Sequence, residues 1–148
     1  MPTEKHTGLL TAVVFGWGIA CLVAMAPAPA NADSDVTIGE WRTPDNFRVQ
    51  VQRCADTVCA RIVRMPDPTV RDVNNPEPRL RVRPVLGIQI FTAQRHTAAD
   101  GWKGHMYMPR TGSTHVARLT PVQRNELTVS ICGPMGLFCI HETWTRTR

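Results

Sequence analysis

Four cysteines carry the clearest chemistry in this chain: Cys54, Cys59, Cys132 and Cys139. An even number of thiols in a small domain outside the cytoplasm reads as two disulfides. Counting alone leaves three connectivities. Cys54 and Cys59 bracket Ala55 to Val58, and Cys132 and Cys139 bracket Gly133 to Phe138, with strand-like runs on both sides of each gap. Each pair can therefore lie across the root of its own hairpin, as Cys54–Cys59 and Cys132–Cys139, where opposing Cα atoms approach closely enough to bridge. The rival arrangement joins the two hairpin tips to each other. Loops this short still contribute roughly 2 kcal/mol each in the chain-entropy account. Zinc thiolate ligands come about two residues apart, and neither pair has that gap, so no metal is expected.

The remaining reactive groups do not assemble into a catalytic pattern. The sequence has no Gly-x-Ser-x-Gly, no phosphate-cradling glycine loop and no His-Glu-x-x-His. His96, His105, His115 and His141 stand singly. His105 and Tyr107 can share one face of a strand, with His115 on the hairpin partner, but surface positions are the simpler expectation. Glu40 and Glu142 approach each other only if the first and last strands pair. We therefore expect no enzyme and no cofactor.

The first 32 residues read as a leader. Lys5 and His6 precede an apolar, almost uncharged run from Leu9 to Ala26, and Ala30-Asn31-Ala32 offers the small-x-small pattern of signal peptidase. Pro27 and Pro29 interrupt the run, which argues against a transmembrane anchor. Cys21 follows Gly18-Ile19-Ala20, and a lipoprotein site would need an aliphatic residue at Gly18. The expectation is cleavage after Ala32, a secreted or periplasmic product spanning 33–148, and no stable membrane anchor.

That product is one domain's worth of chain. The net charge is +5, and outside the leader Lys103 is the sole lysine, the other basic residues being arginines. The arginines are dispersed, which reads as a solvated basic surface rather than a nucleic-acid footprint. No nucleic-acid partner is expected.

The hydrophobic period is two throughout. Phe47, Val49 and Val51 alternate with Arg48, Gln50 and Gln52. Ala60 to Met65 returns after the first cysteine pair. Leu86, Ile88 and Ile90 alternate with Gly87, Gln89 and Phe91. Met106 and Met108 share one side of the run Gly104–Met108. Thr114 to Leu119 follows the turn Pro109–Gly112, Leu127, Val129 and Ile131 form another alternation, and Phe138 to Arg146 closes the series. With the Trp41 segment this makes eight short strands and no amphipathic helix. Hairpins in unbroken succession fit an all-β, eight-stranded antiparallel up-and-down barrel, which abolishes free edges by closing. A sandwich is the rival. Gly39-Glu40-Trp41-Arg42 near one end and Trp144-Thr145-Arg146 near the other would fasten the closure, with Arg146 over the Trp41 indole.

One connection departs from this economy. Residues 66–84 contain prolines at 66, 68, 76, 78 and 84, with Arg71, Arg79, Arg81 and Arg83 beside Asp67, Asp72 and Glu77. A loop of this length is a rim or lid over a barrel mouth, or a proline-stiffened excursion.

The ordered set Gly39-x-Trp41-Arg42-Thr43-Pro44, Cys54-x4-Cys59-Ala60-Arg61-Ile62-Val63, Asp72-x-x-Asn75-Pro76, Leu86-Gly87-Ile88-Gln89-Ile90, Trp102-x-Gly104, Tyr107-x-Pro109-x-x-Gly112 and Thr143-Trp144-Thr145-Arg146 resembles the DUF2147 family of small exported bacterial proteins. The resemblance covers nearly all of 33–148 and implies a lipocalin-like or calycin-like barrel with a cavity, without an assigned activity. Ala60 stands where the family commonly has Gly, Met108 replaces an acidic residue, and His115 lies near an expected aromatic.

An eight-stranded barrel holds side chains or one small ligand. The expected occupant is a small apolar or amphipathic molecule facing Phe47, Val49, Val51, Ile88, Ile90, Met106, Met108, Leu127 and Val129, with an arginine at the mouth for an anionic head group. The alternative is a filled barrel that binds an extracytoplasmic protein, such as an extracellular enzyme, through its loops, with 66–84 as the candidate.

Overall fold

The computed structural model describes residues 35–97 and 101–147. Eight strands follow one another: β1 (Gly39–Arg42), β2 (Arg48–Cys54), β3 (Thr57–Arg64), β4 (Gln89–Thr97), β5 (Gly101–Met108), β6 (Ser113–Gln123), β7 (Glu126–Cys132) and β8 (Cys139–Arg146). Each pairs antiparallel with the next, and β1 pairs with β8, so the sheet closes into an up-and-down barrel. The described residues contain no α-helix, only the 3-10 turns Pro78–Leu80 and Pro134–Gly136. None of their helices is long and apolar enough to cross a membrane. The leader expected at 1–32 lies outside the described residues.

Both disulfides form within their own hairpins, with Cα separations of 5.8 Å for Cys54–Cys59 and 4.0 Å for Cys132–Cys139. The tip-to-tip alternative is thereby excluded. Cys132 and Cys139 are direct cross-strand partners at the ends of β7 and β8, so this bridge caps the ladder.

The seam between β1 and β8 pairs Trp41 with Arg146 and Arg42 with Thr145. The Arg146 guanidinium stacks 4.3 Å from the centre of the Trp41 ring. It also donates to the carbonyls of Ile38, Val36 and Arg124. The Trp41 indole N–H donates to the Thr37 carbonyl at 2.9 Å. A planar guanidinium suits this role because one face stacks on the ring while the edges reach several acceptors.

The interior divides along the barrel axis. At the end where the seam lies, Trp41, Val49, Val51, Val58, Leu119, Leu127 and Val129 are inaccessible to solvent. This half is a solid core. The opposite end is bounded by the connections 43–47, 65–88, 109–112 and 133–138, and there the interior opens.

The register shifts in the β2–β3, β3–β4, β4–β5 and β6–β7 ladders, and the shift between β3 and β4 bears on the interior. Ala60 of β3 opposes Phe91 of β4, while the neighbouring Arg61 opposes Gln89, leaving Ile90 as an extra residue. Such a bulge shifts the phase of the strand. Phe91 therefore faces inward and is buried, although alternation with Ile88 and Ile90 would place it outside. Ile88 precedes the strand and packs against the core from the loop side.

Candidate functional site

The open half of the barrel encloses a cavity of about 640 Å³, within the range of small-molecule sites, roughly 300–1,000 Å³. Its walls follow from the inward phase of each strand. β5 contributes Met106 and Met108, β7 Ile131, and β8 Ile140, Glu142 and Trp144, each set spaced by two residues. Phe47 comes from the connection before β2, and Ile62 and Met65 from the end of β3 and just beyond. The long loop supplies Val70 and Val73 as well as the polar Asp67, Arg71 and Asn74, so it forms part of the wall and rim. Two methionines on one strand and a third, Met65, on the same lining give an adaptable apolar surface.

Besides the polar loop residues and Tyr107, two charged features interrupt that surface. At the mouth, Arg110 pairs with Asp45 at 3.2 Å, and Arg71 stands exposed nearby on the loop side. Deeper, Glu142 points inward from β8. Its backbone partner across the sheet is Val129 of the solid half, one step inside the Ile131–Ile140 pair. The Trp144 indole N–H donates to one Glu142 carboxylate oxygen at 3.1 Å.

The long loop is fastened rather than free. Val85 N–H donates to the Val70 carbonyl at 2.9 Å and Asp72 N–H to the Arg83 carbonyl at 3.0 Å, folding the loop back on itself. Asp72 is fully buried. Its carboxylate accepts from the Tyr107 hydroxyl at 2.6 Å, from the Asn75 amide at 2.7 Å, and from Arg83 through Nε at 3.0 Å and a terminal nitrogen at 2.8 Å. Burial opposes its charge, but the donors from Tyr107, Asn75 and Arg83 outweigh that and hold its pKa below the ordinary value. Burial and the adjacent Asp72 carboxylate push the Tyr107 hydroxyl up. Asn74 donates to the Arg110 carbonyl at 2.7 Å, binding the loop to the β5–β6 turn. Sequence motifs 35 residues apart thus meet in one buried latch beside the cavity.

Of the nine residues expected to face a ligand, Phe47, Ile90, Met106 and Met108 line the cavity. Val49, Val51, Leu127 and Val129 point inward but fill the solid half, and Ile88 lies under the loop; these five do not line it. The cause is axial position, since period two tells a side chain's face but not its depth along the barrel. His105 and Tyr107 lie on one strand and His115 on its hairpin partner β6, as the spacing allowed, but the three do not share a face. His105 and Tyr107 share the outer face of β5, but His115 opposes Met106 and so lies on the inner face, hydrogen-bonded to Ser113 at 2.8 Å. Glu40 faces outward to Arg48 at 2.9 Å, whereas Glu142 faces inward, so the two carboxylates do not meet. Among the described residues, no three of His, Cys, Asp and Glu gather to hold a metal.

Sequence reasoning missed the cavity role of Glu142, whose signal was available: it sits two residues before Trp144 on an alternating strand. It also assigned no partner to Tyr107, the chain's single tyrosine.

A structural neighbour has the same architecture. It is protein HP1028 from the human pathogen Helicobacter pylori, described as belonging to the lipocalin family, with a TM-score of 0.68, 20% sequence identity, and coverage of 76% of this chain and 83% of that one. At that identity the likeness establishes the fold. No curated protein matches the chain. The bacterial family described as "Uncharacterized protein conserved in bacteria (DUF2147)" matches over residues 39–146, every strand of the barrel included. With its Trp41–Arg146 seam, its hairpin disulfides and its closed eight-stranded sheet accounted for within that match, this chain belongs to the DUF2147 family.

Proposed function

We propose that this protein binds a small apolar or amphipathic molecule in the open half of its barrel, without catalysis, outside the cytoplasm. The carrying observation is the cavity of about 640 Å³ walled by Phe47, Ile62, Met65, Met106, Met108 and Trp144. A closed sheet keeps such walls apart, because hydrogen bonding around the ring resists collapse. Two disulfides support a working place in an oxidising compartment.

A second reading, docking of a protein partner through the loops, draws support from the β7–β8 connection. Met135, Leu137 and Phe138 are 90%, 60% and 89% exposed there, on a short loop closed by a disulfide. It is weakened by the half-empty interior, since a loop-only binder has no use for a cavity.

One experiment separates them. The protein purified from its native compartment is examined by native mass spectrometry. A retained non-covalent mass of a few hundred daltons, lost on mild activation and excluded by Met106→Trp, is the expected result. A bare chain that instead retains a second polypeptide through Phe138 would sink the cavity reading and favour the second.

A further inference from the structure

Resting on that cavity reading, we propose that Glu142 selects the ligand. The polar end that enters the barrel carries a hydrogen-bond donor or a positive charge, as in an aliphatic amine, while the apolar body lies against the methionine wall.

The argument begins with what a carboxylate costs in this position. Glu142 faces the lumen from the middle of β8, flanked along the same face by Ile140 and Trp144. The neighbouring, hydrogen-bonded strand β7 presents Val129 and Ile131 on the same face, both buried. An ionised carboxylate among apolar side chains is unfavourable unless donors or cations satisfy it. Trp144 supplies one N–H, to a single oxygen. A carboxylate has about four acceptor sites, and no ion pair engages Glu142 among the described residues. The cavity's arginines, Arg71 and Arg110, stand at the mouth rather than beside it, and Arg110 is engaged by Asp45.

Ligand entry sharpens this. An apolar chain that fills the cavity displaces the water that would otherwise solvate the free oxygen. A ligand ending in a methyl or a carboxylate would leave Glu142 desolvated or opposed by like charge. A ligand ending in an ammonium, amide or hydroxyl would donate to it, with charge-assisted bonds the strongest. The Trp144 ring beside the carboxylate adds an aromatic face suited to a cation. This selection runs against the chain's overall charge of +5, which favours anions at long range. A preference for the cationic probe is therefore attributable to the local group and not to the general field.

The test compares decylammonium and decanoate, equal in chain length and opposite in head-group charge, by isothermal titration calorimetry on the mature protein. Salt is kept near ~150 mM, where the screening length is about 8 Å. The expected result is decylammonium binding at least about tenfold tighter, roughly one well-made charged contact. In Glu142→Gln the amide oxygen can still accept from Trp144, so the strand is preserved while the charge is lost. Decylammonium is then expected to weaken about tenfold and decanoate to bind the same or tighter. Equal binding of the two probes by the wild-type chain, or an unchanged ratio in Glu142→Gln, would overturn the inference. The wild-type comparison needs no variant, so it decides even if Glu142→Gln unfolds. Failure of both probes to bind at all, or binding untouched by Met106→Trp, would instead strike the cavity reading beneath it.

Discussion

Asp72 shows how a single residue can tie a loop to a barrel and make the tie depend on pH. Its carboxylate is inaccessible to solvent and receives four hydrogen bonds from Tyr107, Asn75 and Arg83. Its folded-state pKa lies below the ordinary 3.8, so its stabilisation is complete above that value. It is lost as pH falls through the lower, folded value. Tyr107 has the opposite sign. Its folded pKa lies above 10.0, so its contribution is complete below that value and lost as pH rises through the raised one. Urea midpoints are therefore expected to hold level from about pH 5 to pH 9 and to fall on both sides. Asp72→Asn should cost about 1–3 kcal/mol at neutral pH, as a buried network loses its charged acceptor, and should flatten the acid limb. An acid limb of wild-type steepness in Asp72→Asn would show that other carboxylates set it.

The element that positions this residue is the long connection between β3 and β4, and its seating depends on the β5–β6 turn. Gly112 in that turn has φ +68°, and a Cβ there would fall 1.7 Å from the Asn74 carbonyl oxygen. Backbone meets backbone, so neither side can give way cheaply. Gly112→Ala is expected to cost at least about 2 kcal/mol, combining left-handed strain with the clash. It should also speed tryptic cleavage at the exposed Arg79 and Arg81 by releasing the loop. Gly136→Ala is the control, because Gly136 has φ +71° with nothing within 4 Å. That substitution should carry only the conformational cost, about 1 kcal/mol, and leave loop cleavage unchanged. Equal cleavage in the two variants would mean that the turn does not hold the loop.

For the whole molecule the question is what keeps a short first strand closed against the last. The β1–β8 seam has two paired positions, against seven between β7 and β8. Arg146 makes up the difference by stacking on Trp41 and donating to three carbonyls. Arg146→Ala removes a cation–π contact worth ~0.5–2 kcal/mol and leaves those carbonyls without their guanidinium donor. Hydrogen exchange should then quicken first in β1 and β8, with β5 and β6 still protected, because the barrel opens at its weakest ladder. A uniform rise across all strands would mean that the seam has no separate role and that the barrel opens as a single unit.

Much of this is legible in the chain itself. Alternation of Phe47, Val49 and Val51 with polar neighbours, and its repetition down the chain, dictates strands, because a half-buried sheet demands period two. Four thiols set beside strand-like runs indicate two disulfides, but their pairing within the β2–β3 and β7–β8 hairpins was decided by the tertiary structure. Gly39-x-Trp41 at one end and Trp144-x-Arg146 at the other suit a closure, since strands joined in unbroken hairpin succession bring first and last together by closing into a barrel. Depth along the axis is another matter. Val49 and Met106 both point inward, yet one fills a solid half and the other walls a cavity. That distinction depends on where each strand begins relative to its neighbours, and on the bulge at Ile90 that turns Phe91 inward. The partnership of Asp72 with Tyr107, and the depth at which Glu142 sits although its inward face is legible from Trp144 two residues on, belong to the tertiary structure for the same reason. They arise from strand stagger and loop return, which bring together groups whose spacing along the chain carries no trace of their meeting.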